Sequence, residues 1–457
     1  MPETGAAGSP PAPATIHLVT SAQGAYWKTD ATWTEVESEP ADVIVDENSE
    51  AQMWEGFGGA FSERGWDSLT TRALQDEAVA LLFGSDGCRF VWGRIPVGAN
   101  DYAMDRYTLD EVVDDYSMSH FSIERDRQRL IPYIEAALAI RRDIRFWANP
   151  WTPPTWMKIG QKAGSTPSSF DGGRMRDDDE ILAAYAQYFV KFIQAYAEEG
   201  IQIEVVAPQN EPSYEQNYPS CLWTAGLYTK FVGEYLGPAF DTAGISTQIM
   251  LGTMSNGKGD PATIDSVMAD PAARGYVTII GLQWGMLDVI ANVRSTGLPI
   301  WQTEHECGNY PWEVSTYQQT APNDHAYGVE SWGLIRDWIK AGVSAYNAWN
   351  MVLDRMSARI DTAQQWAQNS LLVVDGGKLT KTPAYYVFRH LSQFVVPGAK
   401  VVRTTGGDAL AFENPDGGLV TVMYNAGKAK KTVVLVGGKR LQFDLPGNGW
   451  ATVNCGP

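Results

Sequence analysis

Short alternating runs of apolar and polar residues occur at both ends of the chain. The N-terminal part contains TIHLVTS, AYWKTD, TWTEVES and DVIVDEN, and the C-terminal part contains AKVVRTTG, ALAFENP, LVTVMYN, KKTVVLV, RLQFDLP and GWATVN. A period of two is typical of strands with one buried face, and glycine pairs separate several of these runs. The pattern predicts one all-β side domain, a β-sandwich built from residues 15–54 and 397–457.

The middle of the chain, residues 55–396, alternates differently. Largely apolar runs suit strands that are buried on both faces, and helical stretches separate most of them, the clearest at 181–200. Eight strand–helix alternations predict an α/β fold, a (β/α)8 TIM barrel. A doubly wound open sheet is the alternative, but it needs no eighth strand, and the sequence has no glycine-rich phosphate loop. The eight apolar segments are 55–63, 88–98, 144–151, 202–212, 247–253, 277–284, 298–306 and 343–350.

Residues 1–14, MPETGAAGSPPAPA, are rich in proline, alanine and glycine. This composition predicts a disordered leader. The stretch lacks the basic region and apolar run of a signal peptide, and it is of the sort left when a chain is cut just after a secretion signal. We therefore expect a secreted or periplasmic protein. The sequence has no apolar run of the length that a membrane span needs, so no stable membrane insertion is expected.

Composition narrows the kind of partner. The 457 residues are 44% hydrophobic, which is enough for a large core, and they carry a net charge of −19. A strongly acidic surface repels phosphate backbones and anionic membranes, so a nucleic-acid partner is not expected. The 17 tryptophans and 20 tyrosines favour a carbohydrate partner, an oligo- or polysaccharide or a glycolipid, because aromatic rings stack on the flat C–H faces of sugars. Oligomeric state is left open.

The cysteines and histidines do not form a metal motif. Cys88, Cys221, Cys307 and Cys455 show no CxxC spacing, and the five histidines are scattered. Metal sites need clustered ligands, so we expect neither a metal nor an organic cofactor. The sequence leaves a disulfide open and favours buried or idle thiols.

Polar and aromatic residues gather where the predicted barrel strands end. Active groups of such barrels lie at the C-terminal ends of the strands. The candidates are Arg94 and Asp101 after the second strand, Asn149 and Trp151 after the third, Asn210 and Glu211 after the fourth, Trp284 after the sixth, Glu304 and Glu306 after the seventh, and Trp349 after the eighth.

Two carboxylic acids on either side of a glycosidic oxygen are the usual minimum for glycoside hydrolysis. Glu211 and Glu304 follow strands four and seven, which face each other across a barrel. Their carboxyl groups are expected about 5–5.5 Å apart, the separation of retaining enzymes, whereas inverting enzymes need about 6.5–9.5 Å. Glu211 is the expected acid/base and Glu304 the expected nucleophile. Glu306 is a rival nucleophile on the same strand face, but it already adjoins a turn.

The remaining candidates have structural alternatives. Arg94 is expected to hydrogen-bond the nucleophile and keep it ionised, which is compatible with a buried ion pair. Trp151, Trp284 and Trp349 are either sugar platforms or packing at the barrel rim. Asp101 either caps a loop or accepts hydrogen bonds from sugar hydroxyls. Asn210 lies beside the acid and is expected to bind a hydroxyl of the sugar, and Asn149 is assigned to the same substrate-binding group.

Several motifs together carry a family resemblance. They are EGFGGAFSE, RIPVGANDY, ANPWTPPTW, VVAPQNEPSYEQNYPSCLW, QTEHECGNYPW, WNMVLD and KTPAYYVFRHLSQFV, and they run along nearly the whole chain. The chain resembles glycoside hydrolase family 30, whose members have a barrel with catalytic glutamates on strands four and seven and a fused β-domain. The resemblance implies that Glu211 is the acid/base and Glu304 the nucleophile. It also implies that Asn210, Asp101, Trp151 and Trp349 contact the sugar.

One departure separates the chain from many members of the clan. These have a tyrosine after strand six that hydrogen-bonds the nucleophile, where this chain has Gln283, Trp284 and Gly285. The family includes glucosylceramidases, endo-β-1,6-glucanases, β-xylosidases, xylanases and β-1,6-galactanases. The resemblance favours a β-glucoside, with β-1,6-glucan first. The alternatives from other classes are a non-catalytic glycan-binding barrel and a metal-dependent barrel hydrolase.

Overall fold

The fold has two compact units. The computed structural model describes residues 15–160, 169–361 and 365–457, so the predicted leader lies outside the described residues. Among the described residues, one unit comprises Gln52–Gln393, and the other comprises residues 15–51 with Phe394–Pro457.

The larger unit is a closed barrel of eight parallel strands, β1 to β8 in chain order, as the sequence predicts. Each strand pairs with its neighbours along the chain, and β8 closes the barrel on β1 through pairs such as Tyr346 with Phe57. The strands are Gly56–Ala60, Trp92–Pro96, Arg145–Asn149, Ile203–Val206, Gln248–Met254, Val277–Leu282, Ile300–Gln302 and Ala345–Asn350.

Apolar side chains from the strands fill the barrel interior. Trp92, Trp147, Val205, Met250 and Trp301 belong to one buried cluster. The backbone of the neighbouring strand also leaves no room for a side chain at Gly58. A Cβ at Gly58 would lie 2.4 Å from the carbonyl oxygen of Trp92.

Helices connect the strands. The helix Asp179–Glu198 between β3 and β4 has Asp178 as its N-cap and is followed by Gly200 with a φ of +78°, close to the predicted 181–200. The other α-helices are Glu63–Ser68, Arg72–Phe83, Leu130–Ile140, Ala225–Lys230, Gly237–Ala243, Asp260–Ala269, Pro271–Tyr276, Ile290–Val293, His325–Ala341 and Pro383–Ser392, and Phe231–Leu236 is a π-helical segment. Short 3-10 turns are Asp126–Gln128, Thr155–Met157, Trp284–Val289 and Arg294–Thr296.

Two small sheets lie in the loops of the barrel unit. Lys158–Ile159 pairs with Arg174–Met175, and Leu372–Asp375 pairs with both Val352–Asp354 and Lys378–Lys381. Among the described residues, no helix has the length and apolar character to cross a membrane. The four cysteines are free thiols, and all are buried.

The second unit is all-β, as predicted. Its ten-stranded sheet runs Ala25–Lys28, Ile16–Ala22, Gly449–Cys455, Leu419–Asn425, Asp408–Glu413, Lys400–Thr405, Val43–Met53, Lys430–Val436, Lys439–Leu445 and Trp33–Glu35. Residues from widely separated strands, such as Leu18, Val434 and Leu441, share one buried cluster, so the sheet encloses its own core.

Candidate active site

A cavity of about 710 Å³ lies at the C-terminal ends of the barrel strands. Apart from the rival nucleophile Glu306, the sequence predicts nine site residues, and seven of them line the cavity: Asp101, Trp151, Asn210, Glu211, Trp284, Glu304 and Trp349. The other two, Arg94 and Asn149, are fully buried: Arg94 donates to the lining residue Asn210, and Asn149 accepts from Arg94. The barrel therefore gathers the predicted residues in one place.

Both carboxylate oxygens of Glu304 accept hydrogen bonds. Glu304 follows β7, and its Oε2 accepts a hydrogen bond from Nη1 of Arg94, which comes from β2. Its Oε1 accepts a 2.9 Å bond from the indole N–H of Trp284, which follows β6. Both oxygens of the Glu304 carboxyl group are therefore held by donors that come from other strands of the barrel.

The guanidinium of Arg94 is shared among three site residues. Besides Glu304, it donates a 2.9 Å bond to Oδ1 of Asn149 and a 2.7 Å bond to Oδ1 of Asn210. Its carbon atom lies 4.4 Å from the ring centre of Trp151. Arg94 therefore fixes Glu304 relative to Asn210, the neighbour of Glu211.

Glu211 has an unusual backbone and a carboxyl group in a different environment. Its φ is +49°, in the left-handed region that favours glycine, and its N–H donates to the carbonyl oxygen of Thr253 at 3.0 Å. The side-chain amide of Gln283 donates a 3.2 Å bond to Oε1. Burial, with the charge of Glu304 as the second cause, raises the pKa of Glu211 to about 8. Glu211 is therefore suited to carry a proton at neutral pH.

A second buried ion pair lies on another wall of the cavity. Nη2 of Arg359 lies 3.2 Å from Oδ2 of Asp101, and both side chains are about 5% exposed or less. Burial raises the pKa of Asp101 to about 6, although the charge of Arg359 acts in the opposite direction. Arg359 also lies 5.0 Å from the ring centre of Tyr218. Sequence analysis missed Arg359, which lies in an aperiodic loop after β8.

Aromatic rings form much of the cavity lining. Trp151 and Trp349 stack with centroids 5.6 Å apart. Trp284 packs against Trp366 at 5.9 Å, and Trp366 contacts Trp312 edge to face at 5.0 Å. Sequence analysis missed Trp312 and Trp366, although the Pro-Trp pair at 311–312 in the loop after β7 was a signal.

The two residues after Glu304 make contacts outside the cavity lining. Both ring nitrogens of His305 have partners, the hydroxyls of Tyr346 at 2.6 Å and Ser331 at 3.1 Å. Burial lowers the pKa of His305 to about 3, so the ring stays neutral. The carboxyl group of Glu306 accepts from Tyr310 at 2.9 Å. Glu306 is therefore engaged by another residue and is not among the cavity-lining residues.

Within residues 15–160, 169–361 and 365–457, no group of three or more His, Cys, Asp or Glu side chains has an arrangement that could hold a metal ion. The cavity lining offers carboxyls, amides, indoles and phenols, together with the guanidinium of Arg359, the amine of Lys258 and the hydroxyl of Ser255.

Comparisons with known proteins agree with this architecture. Residues 54–395 match the glycosyl hydrolase family 30 TIM-barrel domain, and residues 398–453 match the family 30 beta sandwich domain. The lysosomal acid glucosylceramidase of Mus musculus is 28% identical over 403 residues, which cover 82% of this chain and 75% of that protein. The endo-1,6-beta-D-glucanase BGN16.3 of Trichoderma harzianum is 26% identical over 410 residues, covering 84% and 80%.

Solved structures share the fold. The endo-beta1,6-glucanase BT3312 superposes with a TM-score of 0.83 at 24% identity, covering 97% of this chain and 99% of that one. SrfJ from Salmonella typhimurium gives the same TM-score at 21% identity, covering 96% and 99%. Since the family model covers most of the barrel unit and a second model covers the C-terminal strands, the chain is a glycosyl hydrolase that belongs to glycosyl hydrolase family 30.

Proposed function

We propose that this protein hydrolyses β-glucosidic bonds with retention of configuration, with Glu304 as nucleophile and Glu211 as acid/base. The observation that carries the proposal is the contrast between the two carboxyl groups in one cavity. Glu304 accepts from a guanidinium and an indole N–H, whereas burial and a neighbouring charge raise the pKa of Glu211. Two carboxyls in such different surroundings fit the two roles of nucleophile and acid/base.

The reaction has two steps. Glu304 attacks the anomeric carbon while Glu211 donates its proton to the departing oxygen, which gives a glycosyl ester and a free alcohol. The ester has no charge, so the pKa of Glu211 falls and its carboxylate then takes a proton from water. The water oxygen bonds to the anomeric carbon, the ester bond breaks, and Glu304 leaves as a carboxylate.

Other cavity residues bind the sugar. Asn210 lies beside Glu211 and is the proposed donor to a hydroxyl of the reacting sugar. Trp151, Trp349 and Asp101 line the same part of the cavity, where rings stack on the sugar and the carboxyl accepts from its hydroxyls. Arg94 and Asn149 support these groups from beneath.

β-1,6-Glucan is the first candidate substrate, because relatives with that named activity match most of this chain. Glucosylceramide is the second candidate, because named and putative glucosylceramidases match at a similar level of identity. β-Xylosides and β-1,6-galactan are the further alternatives. A polymer outside the cell fits the proposed secreted or periplasmic location, which fractionation of the source cells tests.

A substrate panel tests the proposal. Aryl β-glucoside, β-xyloside, β-galactoside and β-fucoside, then β-1,6-glucan, β-1,6-galactan, xylan and glucosylceramide, are each incubated with wild type, Glu211→Gln and Glu304→Gln. Glu306→Gln is the matched control two residues from the proposed nucleophile. We expect one glycan to be cleaved by wild type and by the control, and not by the other two variants. Binding without cleavage by wild type would instead support a non-catalytic glycan-binding barrel.

A further inference from the structure

The phenol oxygen of Tyr310, a neighbour of the cavity-lining residues Trp312 and Trp366, lies between two carboxyl groups. The hydroxyl of Tyr310 lies 2.9 Å from Oε2 of Glu306 and 2.8 Å from Oε1 of Glu330. A phenol has one proton to donate, and an ionised carboxylate only accepts. The phenol can donate to only one of the two glutamates. The second contact is also a hydrogen bond when the other glutamate is protonated and donates to the phenol oxygen. The geometry therefore fits one proton shared between the two glutamates.

The surroundings favour retention of that proton. Burial raises the pKa of Glu306 and of Glu330, although the hydrogen bond from Tyr310 acts in the opposite direction on both. The negative charges of Glu306, Glu313 and Asp324 also raise the pKa of Glu330. The proton is therefore retained to a higher pH than on an ordinary glutamic acid.

Two further titratable groups adjoin the pair. Tyr327 donates its hydroxyl to the backbone oxygen of Glu306 at 2.9 Å, and Cys307 follows Glu306 in the chain. Burial raises the pKa of both groups, so they stay neutral while the glutamates titrate. The change in charge is thus confined to Glu306 and Glu330.

The ring of Tyr310 packs against two tryptophans of the cavity lining. Its ring stacks on Trp312, with centroids 5.0 Å apart and planes at 28°, and lies 6.0 Å from Trp366. Trp312 and Trp366 line the cavity, and Trp312 is 62% exposed. A ring so exposed is held by few contacts, and its ring partners are Tyr310, which stacks on its face, and Trp366, which meets it edge to face.

We propose that Tyr310 is a positioning residue for Trp312, and that Glu306 and Glu330 confine its action to the pH range in which the pair holds one proton. The inference rests on the proposed function, because it takes Trp312 as a contact for the glycan beyond the bond that is cleaved. When both glutamates ionise, one contact to the phenol oxygen becomes repulsive and the two charges repel each other. Tyr310 then loses an anchor, and Trp312 loses its support.

The sign of the pH effect follows from the raised pKa values. The shared-proton arrangement is present at low pH and is lost as the pH rises through the raised pKa of the pair. Affinity for an extended glycan therefore falls with rising pH, while the groups that break the bond keep their places. The effect appears in KM, and it is smaller for an aryl glucoside that ends before Trp312.

Two variants isolate the shared proton. In Glu306→Gln, the side-chain amide donates to the phenol oxygen and the phenol donates to Glu330, so the arrangement needs no titrating proton. In Tyr310→Phe, the ring remains for stacking but both hydrogen bonds are lost at every pH. A residue with a merely structural role would not give opposite behaviour in these two variants.

The first measurement is hydrogen–deuterium exchange of the segment 308–316 between about pH 5 and about pH 9, corrected for the intrinsic pH dependence of exchange. We expect wild-type protection to fall as the pH rises, Glu306→Gln to stay protected and Tyr310→Phe to stay unprotected. Wild-type protection that does not change with pH, or a Glu306→Gln profile like that of wild type, would overturn the proposal. This measurement needs no substrate, so it decides the proposal even if the proposed function fails.

The second measurement is KM for an extended glycan over the same range. We expect KM of wild type to rise by about three- to tenfold, which is the change in affinity that the net contribution of one ordinary hydrogen bond gives. KM of Glu306→Gln should not change with pH in this way. Equal pH dependence of KM in the two proteins would contradict the role of the pair in substrate binding.

Discussion

The indole N–H of Trp284 donates a 2.9 Å hydrogen bond to Oε1 of Glu304. Arg94 occupies the other oxygen of the same carboxylate. The family resemblance implies that many members of the clan have a tyrosine after the sixth strand that donates to the nucleophile, and Trp284 donates to Glu304, the proposed nucleophile, from the corresponding part of this chain. Its φ of +50° lies in a region that few non-glycine residues adopt, so the contact depends on a specific backbone conformation.

Removal of this donor is expected to slow the reaction. In Trp284→Phe, Glu304 keeps Arg94 but loses a hydrogen bond to a charged oxygen, which is worth about 1.5–3 kcal/mol. We expect kcat to fall by about 10- to 100-fold on an aryl β-glucoside, measured by steady-state kinetics. Trp366→Phe is the matched control, because its indole N–H donates to the backbone oxygen of Gly308. A control that loses as much kcat as Trp284→Phe would contradict this role.

The pH profile should report the proton on Glu211. Since burial and the charge of Glu304 raise its pKa to about 8, the acid form is present below that pH and is lost above it. We expect kcat/KM of wild type to decline above about pH 8. In Glu304→Gln the neighbouring charge is gone, so the pKa of Glu211 should be lower, which infrared titration of the carboxyl can detect. A wild-type rate that stays level far into the alkaline range would count against Glu211 as the acid.

The same raised pKa has a consequence for stability. A carboxyl group whose pKa is higher in the folded state stabilises the fold at low pH, and this contribution is lost as the pH rises towards the folded-state pKa. Glu211→Gln removes the titration. We therefore expect this variant to gain stability relative to wild type at about pH 8 and to show little gain at about pH 4. Thermal unfolding at both pH values measures the difference, and an equal shift at both would contradict the assignment.

Substitutions of Asp101 and Arg359 should have non-additive effects on the free energy of unfolding. Arg359→Met leaves a buried carboxyl group without its cation, and loss of one partner of a buried pair costs about 3–5 kcal/mol in the free energy of unfolding. The double variant Asp101→Asn/Arg359→Met removes both charges and should cost less than the sum of the single variants. Denaturant unfolding of all four proteins completes the cycle. Additive effects would show that the two charges do not act as a pair.

Much of the fold is predictable from the chain because barrel strands are buried on both faces. Their apolar runs stand out, and polar residues follow where each strand reaches the cavity end. Arg94 lies near the end of β2 and Glu304 just past β7, and the barrel's closure brings them into contact. The alternating strands at both termini are equally clear, because one face of each is buried.

The rest of the site depends on loop conformations that no periodic pattern describes. Arg359, Trp312 and Trp366 lie in long loops after β7 and β8, and contacts distant in sequence position them, such as the 3.1 Å bond from Trp366 to Gly308. The position of a residue at the end of a strand also does not determine whether its side chain lines the cavity or is buried away from it. Asn149 is fully buried and accepts from Arg94.

Covalent trapping tests the central claim most directly. A 2-deoxy-2-fluoro β-glucoside with a good leaving group forms the glycosyl ester rapidly but releases it slowly, and peptide mapping by mass spectrometry locates the label. We predict one sugar per chain, attached to Glu304. A label on Glu306, or cleavage of the natural substrate with inversion and no label on any glutamate, would contradict the account.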